Sequence, residues 1–297
     1  MDQATQVLVF YGGLVAWAGL LALGLRRRSW GSFLGFGIVL LLALNIRYFI
    51  EGSTGGIAFF IGIYDVLDNL GVNASDPPAA LAACPDNACT VWGERYTQHA
   101  SWGVAFHERF VTASTWRNGL LYTHIGFNSI AFVLMHFQML RPGTGTGANR
   151  SLHRMLGRIS FGAVTLGTLA AVLLASEHSS VSEYGGIGSM LGFYSMSFFV
   201  YGCAVMMVRT IRGGDIAAHK RWTIRFAGSM WGAFWLFRVM LFVLHPILRN
   251  YEAVALQICI WGSAPLGILL AEAIRRRPAR TNVDLRDAPV VVPTAAG

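Results

Sequence analysis

NGLLYTHIGFNSIAFVLMHFQML, residues 118–140, runs for 23 positions without an Asp, Glu, Lys or Arg. A helix of that length rises about 35 Å at 1.5 Å per residue, more than a hydrocarbon layer of about 30 Å. Such a stretch reads as a membrane-spanning helix, and two histidines inside it, His124 and His136, mark it as more than an anchor. Ionisable residues are costly at membrane depth and tend to mark function there. Working outward, nearly uncharged runs recur at 7–25, 30–49, 155–175, 188–208, 222–244 and 253–273. Together with 118–140 they predict about seven spans, with ends uncertain by roughly 2–4 residues.

Composition agrees. Of 297 residues, 54% are hydrophobic and 13% charged, and the mean hydropathy is +0.50. The charged share is about half that of a soluble domain. A soluble globular enzyme and a disordered chain are both excluded. The fold class is all-α, a polytopic membrane helical bundle.

The net charge of +8 comes from 22 Arg and one Lys against 15 acidic residues, and its distribution sets an orientation. With the Arg26-Arg27-Arg28 segment in the cytoplasm and alternation from there, 17 of the 23 basic residues fall on the cytoplasmic side. That asymmetry is the positive-inside pattern. It predicts the N-terminus outside, the C-terminus inside, and the first run as a retained anchor. It also removes a nucleic-acid reading, because the basic clusters are topogenic and lack interleaved aromatic residues.

Four regions follow: two spans in 1–51, an extracytoplasmic segment over 52–117, a five-helix membrane core over 118–274 that carries six of the histidines, and a disordered cytoplasmic tail over 275–297. In the second region Cys84 and Cys89, separated by four residues in an oxidising compartment, predict a small disulfide loop. Cys203 and Cys259 lie in spans and read as packing residues. The Gly143-Thr-Gly-Thr-Gly147 run lacks the strand, lysine and spacing of a phosphate loop, so it reads as a connection.

The six core histidines fall on three spans, one near each end. Alternating directions sort them into an outer set, His124, His178 and His245, and an inner set, His136, His153 and His219. His124 and His136 are 12 residues apart, about 18 Å and three turns plus about 120°, so they do not share a face. His153 to His178 and His219 to His245 span about 38–39 Å, which carries these four to the water interfaces. Imidazoles from different helices can ligate one haem iron axially. The layers thus offer an inner haem, His136 with His153 or His219, and an outer one, His124 with His178 or His245. Alternatively, His124, His178, His245 and Glu177 surround one divalent metal. Arg238 lies within the sixth span, seven residues before His245, and its fork suits a propionate, a quinone oxygen or a carboxylate, or an ion pair with Glu177 or Glu183. Asn45, Asn128 and Gln138 read as interhelical hydrogen-bond glue, and Gly162, Gly167, Gly185, Gly186, Gly188 and Gly192 as points of close approach or room for a flat cofactor.

Tyr122-Thr123-His124, Leu152-His153-Arg154-Met155-Leu156-Gly157-Arg158, and Gly213-Gly214-Asp215 followed by His219-Lys220-Arg221-Trp222-Thr223-Ile224-Arg225 carry a resemblance over roughly 118–245. The combination resembles a bacterial family catalogued as predicted membrane proteins with a domain of unknown function, which implies a multi-pass protein of the bacterial cytoplasmic membrane. More distantly, the helix-opening Leu-His before a Gly is similar to two-haem cytochrome b and ferric-reductase-type membrane proteins. That likeness implies His124, His136, His153 and His219 as axial ligands of haem b. The functional expectation is a b-type haem protein passing electrons within or across the membrane, to quinone or a redox partner protein. The alternatives are a transporter or small-molecule-binding protein with an outer pocket at Arg238, a membrane metalloenzyme, and an accessory subunit without a cofactor.

Overall fold

The computed structural model describes residues 3–27, 29–53, 56, 115–141, 147–176, 186–248 and 252–276. Among them every regular element is helical: α1 (Gln3–Arg27), α2 (Gly31–Ile50), α3 (Thr115–Leu140), α4 (Gly147–Ser176), α5 (Gly186–Arg212), α6 and α7 (Glu252–Arg276). The α6 rod is composite, with α-helical Ile216–Trp231 and Phe237–Ile247 joined through a π-helical turn at Gly232–Leu236. Seven helices are long and apolar enough to cross a membrane, as the hydropathy pattern predicts. Their outward faces are apolar too, with Leu8, Val39, Phe198 and Leu269 exposed, which suits a lipid solvent.

Two helices start earlier than hydropathy alone predicts. The α4 helix opens at Gly147, ahead of the apolar run, through the polar turn Asn149-Arg150-Ser151. The α6 helix opens at Ile216 because Asp215 caps it, its side chain accepting from the Ala218 amide at 2.8 Å. Gly214, at φ +81°, makes the turn before the cap in a region that disfavours a side chain. Both extensions place His153 and His219 inside helices instead of in connections.

The core is a four-helix arrangement: α3 lies along α4, α4 along α5, α5 along α6, and α6 closes toward α3. The α7 helix packs across α5 and α6, α2 against α3, and α1 against α2. The centre is filled by Phe10, Leu40, Phe132, Val164, Ala204, Phe226 and Trp235. Lipid is as apolar as leucine, so close packing and polar ties hold such helices together. The tightest approach among the described glycines joins α6 to α7. A methyl on Gly267 would fall 2.1 Å from the Gly228 carbonyl oxygen, and one on Gly232 2.4 Å from that of Ser263. Of the glycines expected to allow close approach, Gly167 seats the Asn128 side chain, Gly188 seats Gln257, and Gly192 seats Ile260 and Trp261. Gly162 faces open space, and Gly185 lies outside the described residues.

Polar ties follow the same seams. The Asn45 amide donates to Ser129 Oγ at 2.9 Å, joining α2 to α3. Gln257 donates to Ser189 Oγ at 2.7 Å and accepts from the Trp261 indole at 3.0 Å, joining α7 to α5. Glu272 near the end of α7 holds Arg275 at 2.5 Å, Arg276 at 2.9 Å and, across on α6, Arg225 at 3.5 Å. The ends of α3, α5 and α7 and the starts of α4 and α6 thus gather at one end of the bundle, here called the basic end. Cys203 and Cys259 are free thiols buried in apolar clusters. Cys84 and Cys89 and the tail from residue 277 lie outside the described residues.

Candidate functional site

At the basic end the second turn of α4 and the first turn of α6 bring His153 and His219 together. Their ring centroids are 6.4 Å apart and their planes are at 86°. The His219 Nδ1 atom lies 2.9 Å from the Met207 carbonyl oxygen of α5, and since a carbonyl only accepts, Nδ1 carries the proton. That leaves Nε2 of His219 with its lone pair, in an orientation set by a backbone acceptor, the arrangement found behind metal-bound imidazoles. His153 Nδ1 is buried without a hydrogen-bond partner. Arg141, just past the end of α3, donates from Nη2 to Asn149 Oδ1 at 2.8 Å, and Asn149 lies one turn before His153 on the same face of α4.

Two imidazoles on one metal ion have ring centres about 5–6.5 Å apart, and the 6.4 Å between His153 and His219 lies in that range, so this is the pair of described histidines that could hold one ion or a haem iron. Among the described residues, no group of three or more His, Cys, Asp or Glu is placed to hold a metal.

His136 has a different environment. It is wholly buried (0% exposed), stacks on Phe132 at 3.9 Å, gives its Nδ1 proton to the Phe132 carbonyl at 2.8 Å and accepts at Nε2 from the Trp231 indole at 2.9 Å. Gly37 of α2 makes the room: a methyl there would fall 2.5 Å from the Trp231 ring. Both nitrogens are thereby engaged, and the ring is a neutral tie between α3 and α6. Of the pairings weighed for the inner layer, those through His136 do not form in the structure, while His153 and His219 meet each other.

At the opposite end His124 lies beside α4, with Nδ1 3.2 Å from the Gly167 carbonyl and 3.0 Å from Asn128 Nδ2. Asn128 Oδ1 is buried without a partner, and flipping this amide lets Oδ1 and the Gly167 carbonyl share the Nδ1 proton. Arg238, two residues beyond the π-helical turn, hydrogen-bonds the Phe234 carbonyl and lies with its guanidinium 5.0 Å from the Phe234 ring centre. It interacts electrostatically with buried Tyr48 and with His124. Arg238 and His124 thus share one region. His178, Glu177 and Glu183 lie outside the described residues, as does the side chain of His245.

Sequence reasoning missed Trp231, Tyr48, Arg141 and the π-helical turn. Only Arg141 had a readable signal, the Asn149-x-x-x-His153 spacing on the helix that follows it. Comparison with family models, with curated proteins and with solved structures finds no match to this chain.

Proposed function

We propose that this chain is an integral membrane b-type haem protein that moves electrons within or across the membrane, and that His153 and His219 would hold the haem iron at its basic end. The observation that carries the reading is the separation of those two rings, one from α4 and one from α6. Bound haem supplies a one-electron couple at its iron. The chain contributes the rest: α5 fixes the His219 tautomer through the Met207 carbonyl, the Asp215 cap holds the first turn of α6, and Arg141 lends positive charge beside the pair. By the distribution of basic residues this end faces the cytoplasm of a bacterial inner membrane, with the N-terminus outside and the C-terminus inside. Quinone or a redox protein is the exchange partner. The test is the absorbance of detergent-purified protein made with ample haem. The reading expects a reduced-minus-oxidised spectrum of six-coordinate b haem that is lost in His153→Ala and in His219→Ala. A colourless wild type overturns it.

A second reading is supported by the irregular helices near Arg238. The π-helical turn ends two residues before it, and Pro265, which lacks a backbone donor, lies within the facing α7. Irregular helices beside a cation suit a transporter or binding protein for a quinone or carboxylate. A colourless protein that binds such a solute, and loses it in Arg238→Gln, would establish this reading in place of the first.

A further inference from the structure

Two polar atoms at the basic end are buried without hydrogen-bond partners, Arg141 Nη1 and His153 Nδ1. They belong to one local site, because Arg141 is tied through Nη2 to Asn149, one helical turn from His153. A buried N–H left unmade is costly, more so on a charged group, so this one calls for an acceptor. Among the described residues the neighbourhood supplies no free anion. Asp215 is engaged as the cap of α6, and Glu272 is held by Arg225, Arg275 and Arg276. Arg150, Arg154, Lys220 and Arg221, on the first two to three turns of α4 and α6, have no acidic partner among the described residues. The positive-inside pattern explains why cations collect here, but it does not explain a buried guanidinium nitrogen with no acceptor among the described residues.

We infer that Arg141 and His153 form a binding site for a phosphate group, with Arg150, Arg154, Lys220 and Arg221 as its electrostatic surround. The chemistry fits: Arg141 keeps one arm on Asn149 and offers the other to a phosphate oxygen, and the Nδ1–H tautomer of His153 donates a second bond to the same anion. The site sits where two helices start and one ends, the depth at which lipid phosphates lie, so the phosphate comes either from an anionic lipid headgroup or from a free solute. This goes beyond the haem reading and shares His153 and the charge of Arg141 with it.

The test uses the full chain in nanodiscs of phosphatidylcholine with and without phosphatidylglycerol, and in neutral detergent with added inorganic phosphate. Native mass spectrometry counts retained phosphatidylglycerol, and thermal denaturation reads stabilisation by phosphate. Arg141→Gln is expected to weaken whichever response occurs about tenfold, as for loss of a charge-assisted hydrogen bond. Arg209→Gln, an exposed cation on α5, leaves it unchanged. Saturable lipid retention identifies the headgroup as the source, and saturable phosphate stabilisation identifies the solute. No response in the wild type, or equal losses in Arg141→Gln and Arg209→Gln, overturns the proposal. Should Arg141→Gln fail to fold, Arg141→Lys keeps the charge, loses the fork, and is expected to fall between the two. Each readout is taken with and without haem supply. A colourless protein that binds phosphate retires the haem reading alone, and a coloured one that ignores phosphate retires this proposal alone.

Discussion

His136 and His219 lie toward the same end of one bundle and have opposite fates. His136 is stacked on Phe132 with both nitrogens hydrogen-bonded, one to a carbonyl of its own helix and one to the Trp231 indole. His219 spends one nitrogen on the Met207 carbonyl, leaves the other without a hydrogen bond among the described residues, and has the ring of a second histidine 6.4 Å away. A histidine in a membrane helix is therefore not a ligand by virtue of depth. In the proposed reading, what separates tie from ligand is whether neighbouring helices consume one ring nitrogen or two.

The contrast is broken most directly by exchanging the histidines for residues that keep hydrogen bonding but not ligation. His219→Gln is expected to abolish the six-coordinate haem spectrum, whereas His136→Gln, whose amide oxygen can still accept from Trp231, keeps it. Loss of the spectrum in both would make His136 a ligand and erase the distinction. Next in size, His136→Leu leaves the Trp231 N–H buried without an acceptor, which costs about 1–3 kcal/mol. Denaturation in mixed micelles should show that loss, with His136→Gln recovering most of it. Trp231→Phe removes the donor and leaves a lone pair on His136 unmet; a loss of about 1 kcal/mol is expected, with the spectrum unchanged. Smaller again is Asn45→Leu, which cuts an interhelical hydrogen bond to Ser129 of the kind worth about 0.6 kcal/mol in a membrane.

The smallest effect is expected at Glu51. Arg47, at 2.6 Å, holds its carboxyl below the usual carboxylate range, mainly through their hydrogen bond. A depressed pKa adds stability above the unfolded value and loses it as pH falls through the folded one. Here the pair is solvent-exposed and its gain is screened. Denaturation profiles of wild type and Glu51→Gln should coincide at neutral and at acid pH.

Hydropathy made the seven helices legible because length and apolarity are local properties. It misplaced the starts of α4 and α6, where polar residues are helical: the Asp215 cap and the Asn149 turn extend the rods beyond their apolar parts. That is why His153 and His219 read as interfacial residues of connections. Their meeting, like the bond from Trp231 to His136 across 95 residues, depends on which helices are neighbours, and periodicity within one helix carries no such information. The reading of Asn45 as glue succeeded because a lone amide in an apolar helix has few other ways to be satisfied. The π-helical turn left no trace in residue type, since Gly232-Ala-Phe-Trp-Leu236 is equally compatible with an α-helix.

That turn has a consequence for how α6 is built. A π-helical turn accommodates one residue more than the α-helical path it replaces, so it shifts the angular phase of everything after it by about 100°. The half of α6 that presents His219 and the half that presents Arg238 are therefore set in different phases, each aimed independently at its own end of the bundle. Deleting a single residue from 232–236 would restore a continuous α-helix, swing Arg238 away from Tyr48 and His124, and leave His219 facing His153. One residue of length thus acts as a vernier between two ends of the protein.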